Sequence, residues 1–106
     1  MNNKNNTAYK NVWDALCDNP EEAQNMRMRS QLIIEITDEL SRIEATQKEK
    51  AKMLGISQPR LNDLLQGHIH KFSLDMLVKL SSRLGKHIEL SFTDMPADMS
   101  NNIVMA

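Results

Sequence analysis

Gln58, Arg60, Asn62 and Asp63 set two carboxamides, a guanidinium and a carboxylate close together behind Gly55-Ile56-Ser57. These are the side-chain ends that match base edges. A glutamine can bond an adenine in a bidentate manner, and an arginine can do the same with a guanine. Just upstream, Thr46 and Gln47 open another helix, and the first turn of any helix presents free backbone donors that suit phosphates. Ser57 and Pro59 at the start of the second helix, and Lys71 beyond its end, complete the candidate contact set.

Such a set works only if the elements carrying it are held at a fixed angle. Thr46 with Glu49 three residues on forms a capping box, which starts a helix. Gly55 ends that helix, because glycine enters the left-handed conformation without a steric cost. Ser57 caps the next helix, Pro59 is tolerated in its first turn, and Gly67 closes it. The small Ala51 sits four places before the turn, where the two helices must cross closely, and Leu54, Ile56, Leu61 and Leu64 fall at the buried positions. Gln58, Arg60, Asn62 and Asp63 are left facing outward.

The flanking segments supply the frame. Asn19 suits an N-cap, Pro20 the first helical position and Glu22 the third position of a capping box. Met26, Arg29 (by its stem), Ile33, Ile36, Leu40 and Ile43 recur at helical spacing and Leu32 widens the stripe, so one long helix is expected from Pro20 to about Glu44. Ser73 caps a fourth helix with Leu74, Leu77, Val78, Leu80 and Leu84 on its apolar face, and Gly85 stops it. Ile88, Leu90 and Phe92 alternate with Glu89 and Ser91, a period of two that predicts a short strand from His87 to Phe92. The expected fold is all-α, a bundle of four to five helices with that one C-terminal strand. Three segments are expected: a polar arm over 1–18, in which Asn11 to Leu16 makes a short helical turn docking Trp13; a domain over 19–92; and a polar tail over 93–106.

The totals agree with a small cytoplasmic domain. A chain of 106 residues buries a modest core, so dimerisation is expected. Hydrophobic residues make up 41% and charged residues 25%, which argues against wholesale disorder. Cys17 is the single cysteine, so there is no disulfide framework. No apolar run, Leu32-Ile33-Ile34 included, is long enough to span a membrane, and the Asn-rich N-terminus lacks a signal core. The net charge of −1 conceals an asymmetry: residues 1–44 carry −3, residues 45–90 carry +4 and residues 91–106 carry −2. The basic block coincides with the two capped helices, where charge at the contact face matters more than the total.

Thr46-Gln47, Ala51, Leu54-Gly55-Ile56-Ser57-Gln58, Leu61, Leu64 and Gly67 together resemble the Xre family of helix-turn-helix regulators with its lambda-repressor-like fold. More narrowly, Ser57-Gln58-Pro59-Arg60-Leu61, Phe72-Ser73-Leu74-Asp75-Met76-Leu77 and His87-Ile88-Glu89-Leu90 are similar to the HigA-like antitoxins of type II toxin–antitoxin pairs, as is Asn11 to Leu16. The resemblance covers roughly residues 11–92. It implies that Gln47 bonds a phosphate or braces the recognition helix, and that Gln58 reads a base, adenine by preference. Ser57, Arg60, Asn62 and Asp63 would add base or phosphate contacts. One position departs from the family: the residue before Ala51 is Lys50, where an apolar or small one is usual. Its methylenes would have to lie along the core.

Blander readings of the same features stay open. A four-helix domain without DNA binding would show similar caps and glycines. His68 and His70 stand two apart without a clustered third ligand, which reads as a polar loop rather than a metal site. Cys17 reads as a filler or surface thiol, and the eight Met as core and helix formers. Lys48, Lys50 and Lys52 alternate along a helix, so only some can face phosphate. No nucleotide loop, metal cluster or nucleophile arrangement suggests an enzyme, and no cofactor is expected. The expected partners are operator DNA and a second copy of the chain, dimerised through Ile88, Leu90 and Phe92. A RelE/HigB-like toxin joins them in the antitoxin reading and is missing in the stand-alone repressor reading.

Overall fold

The computed structural model describes residues 19–94. The helical turn expected around Trp13, Cys17 and most of the polar tail lie outside the described residues. Four α-helices follow one another: α1 (Pro20–Ser41), α2 (Gln47–Leu54), α3 (Gln58–Leu65) and, after a 3₁₀ turn at Ile69–Lys71, α4 (Leu74–Arg83). The chain is therefore an all-α bundle, as expected.

Each helix begins on a side chain that satisfies an orphan N–H. Asn19 Oδ1 accepts from the Glu22 N–H at 2.6 Å, Ser57 Oγ from Arg60 at 3.2 Å and Ser73 Oγ from Met76 at 3.1 Å. Thr46 and Glu49 form the full reciprocal box, at 3.1 Å and 2.8 Å. Loss of such a cap costs about 0.5–2 kcal/mol. The helices stop as expected too, except α1. It ends at Ser41, short of the expected Glu44, because Arg42 already bonds back to the Glu39 carbonyl and the backbone must extend before the Thr46 cap.

The core is drawn from every helix. Ile33, Ile36 and Leu40 of α1 meet Ala51 and Leu54 of α2, Leu61 and Leu64 of α3, Phe72, and Leu77 and Leu80 of α4. Each fully buried Leu or Phe contributes roughly 1.5–3 kcal/mol relative to exposure. Ile43 and Ile56 pack against this cluster half-buried, and Lys50 is half-buried beside Ala51. α1 lies chiefly against α4 and also touches α3 and the 3₁₀ turn, while α2 packs on α3 and α4. Ser30 is a buried member of the α1 stripe that the apolar pattern does not reveal, and its hydroxyl has no hydrogen-bond partner.

The strand expected from His87 to Phe92 is not formed. Residues 86–94 have no regular secondary structure, and no described segment is a strand. A strand requires a ladder partner, and among the described residues, all helical or irregular, this segment has none. Its apolar residues are not buried on one side either: Ile88, Leu90 and Phe92 are all exposed.

Candidate nucleic-acid interface

Gly55 makes the tight connection between α2 and α3. Its φ of +70° is left-handed, and the Ile56 N–H bonds back to the Ala51 carbonyl at 3.0 Å. With Ala51, Leu54, Leu61 and Leu64 turned inward, the start of α3 is left on the surface. Gln47, from the first position of α2, joins Gln58, Pro59, Leu61, Asn62 and Leu65 in lining a cleft of about 400 Å³. Three carboxamides thus converge on one surface from two helices, and no charged side chain lines it. Each amide offers both a donor and an acceptor.

The other candidates have different surroundings. The Thr46 and Ser57 hydroxyls accept the cap bonds of α2 and α3. Pro59 sits in the first turn of α3 and is exposed. Arg60 is half-buried and turned along the molecule. Its Nη1 donates to the Lys71 carbonyl at 2.7 Å, and its guanidinium carbon stands 4.3 Å from the centre of the Phe72 ring. Asp63 is drawn into a charge cluster, with Oδ1 3.1 Å from His68 Nδ1 and 3.4 Å from Lys71 Nζ. The hydrogen bond with His68 and the Lys71 ammonium hold its carboxyl below the ordinary value, against an opposing contribution from partial burial. His68 is thus engaged with Asp63, and among the described residues no group of three His, Cys, Asp or Glu could hold a metal ion.

Two further arginines position this surface, and neither stands out by type or spacing as a site residue. Arg29 Nη1 donates to the carbonyls of Ile69 and Phe72 at 3.4 and 3.2 Å while its Nε bonds Asn25 Oδ1 at 2.7 Å, which fixes the 3₁₀ turn to α1. Arg83 of α4 donates from Nη1 to the Leu54 carbonyl at 2.8 Å, at the turn itself. The sequence pattern reveals only that the Arg29 stem lies in the α1 stripe.

Ile88 and Leu90 lie apart from the amide cleft. They line two clefts beside α1, one with Arg27, Met28 and Leu32 and one with Leu74 and Val78 of α4. Among the described residues no helix is long and apolar enough to cross a membrane.

A family model described as a helix-turn-helix domain matches residues 15–93, most of the chain. No curated protein matches it.

Proposed function

The chain belongs to the helix-turn-helix domain family, and from that premise we propose that it is a sequence-specific DNA-binding transcription regulator whose α3 enters the major groove. One observation carries this reading. Gln47, Gln58 and Asn62 are exposed on a single cleft across the Gly55 turn, at the end of α3 that such modules present to base edges. In this mechanism the first-turn N–H groups that the caps leave over, those of Gln47 and Lys48 on α2 and Gln58 on α3, grip phosphates, which set register, while the amides read bases. Thr46 and Ser57 act mainly by shaping those helix ends. Arg60, from the first turn of α3, and Asp63, farther along it, tie the helix to the 3₁₀ turn, and the Lys71 ammonium adds positive charge on the DNA side. Gel-shift titration of the full chain against DNA upstream of its own reading frame is the test. Saturable binding that outcompetes random duplex supports the proposal, and equal affinity for both defeats it.

A repressor of this type reads two half-sites about 34 Å apart, which requires a dimer. The exposed Leu90 and Phe92 favour a second copy as the cover for the C-terminal segment, with the two-fold symmetry commonest in soluble oligomers. The finer assignment is an autorepressing antitoxin paired with a RelE/HigB-like toxin, on the strength of the sequence resemblance. Co-expression with the neighbouring gene product separates it from a stand-alone repressor: rescue of growth arrested by that product supports the antitoxin, and no rescue supports the repressor.

A further inference from the structure

We propose that the α3 cleft selects A·T base pairs, with no guanine or cytosine read by α3 itself; this rests on the DNA-binding reading above and narrows it to a ligand. In the major groove a guanine is best met by a cationic fork, and a cytosine N4 amino group by a carboxylate. α3 has one side chain of each kind, Arg60 and Asp63, and both are committed within the chain. The Arg60 guanidinium bonds the Lys71 carbonyl at 2.7 Å and lies over the Phe72 ring, whose side chain is buried. Reaching for a base would abandon both contacts. Asp63 faces His68 and Lys71 together, with only 21% of its side chain exposed. The two charged groups that could read a G·C pair are therefore turned to tying α3 to the 3₁₀ turn.

What remains at the contact surface is neutral. The carboxamides of Gln47, Gln58 and Asn62 offer the paired donor and acceptor that match adenine N6 and N7. Beside them Pro59 and Leu65 present apolar surface, and Leu65 is 38% exposed although it lies on a helix whose other leucines are buried. Apolar contact of this kind suits the thymine methyl group. Amides for the purine and hydrocarbon for its partner together describe an A·T step.

Selection of bound sequences from a random duplex library by the full chain tests this. The expected half-site carries A·T pairs at its invariant positions. Replacing the selected adenines by 7-deazaadenine, which lacks the N7 acceptor, should weaken binding roughly 5- to 150-fold, while 7-deazaguanine elsewhere has no effect. Arg60→Met, which keeps the stem and removes the donors, should bind the same motif, measured at a temperature where its melting curve shows it folded. Invariant G·C positions sensitive to 7-deazaguanine, or a motif that changes with Arg60→Met, would overturn the inference while leaving DNA binding standing. No enrichment over the starting library would overturn DNA binding and this inference together.

Discussion

Arg83 Nη1 donates to the Leu54 carbonyl oxygen at 2.8 Å, tying α4 to the last turn of α2 where the chain swings into α3. The same atom lies 3.2 Å from the point a Cβ on Gly55 would occupy. The turn is thus closed by a cation on a carbonyl, and glycine makes room for it. Gly55→Ala must adopt φ +70° and push the guanidinium aside, so it is expected to lose about 1–2 kcal/mol of stability. Arg83→Met keeps the stem and deletes the bond, for about 1 kcal/mol given its partial exposure. Thermal melting checks both, and a Gly55→Ala protein as stable as wild type would show that the turn is not held this way.

Ala51 is 3% exposed in the cluster where α2 meets α3. Ala51→Leu overpacks that contact and should cost roughly 1–3 kcal/mol. Denaturant unfolding measures it. An unchanged midpoint would mean that the helices have room to spare at their crossing.

Asp63 contributes in a pH-dependent way. Its carboxyl is held below the ordinary value of 3.8, first by the hydrogen bond with His68 and then by Lys71. A depressed folded-state value means the stabilisation is fully present above the unfolded-state value and disappears as the pH falls through the folded one. Asp63→Asn is therefore expected to melt below wild type at pH 7, and the gap should close as the pH is taken down from about 4. A gap that stays constant across that range would show that the charge of Asp63 is not what matters.

The C-terminal segment carries the association test. Phe92 and Leu90 are exposed in the single chain, so Phe92→Ser and Leu90→Ser should leave the melting temperature of the isolated fold unchanged. Sedimentation should find wild type dimeric at roughly tens of micromolar and both variants monomeric. Leu90→Pro, which also removes a ladder donor, should do the same if two copies pair there as strands. A wild type that is monomeric, or variants that stay dimeric, would place the interface elsewhere or nowhere.

Much of this fold was legible in the sequence because its punctuation is local. Asn19, Thr46, Ser57 and Ser73 cap the helices they were expected to cap, and Gly55, Gly67 and Gly85 all take a positive φ just beyond a helix end. The helical periodicity of Met26, Ile33, Ile36 and Leu40 reports burial directly. The residues that escaped are those whose partners are remote in the chain. Nothing near Arg83 signals a bond to Leu54, and nothing near Arg60 signals that Lys71 and Phe72 will take its guanidinium. Arg60 and Asp63, expected to face outward on α3, both bond toward the 3₁₀ turn. The period-two pattern at Ile88, Leu90 and Phe92 was plain, but periodicity does not supply the second strand that a ladder needs.

The central claim is that the exposed start of α3 reads sequence. The most direct measurement is the affinity of Gln58→Ala for the selected operator and, separately, for random duplex, in the same salt. Gln58 is exposed at the first position of α3 and supports no fold contact by a hydrogen bond, so the variant should melt like wild type. Operator binding should weaken by about 1–3 kcal/mol, with random-duplex binding unchanged. Operator affinity equal to wild type, or an equal loss on both duplexes, would contradict the claim.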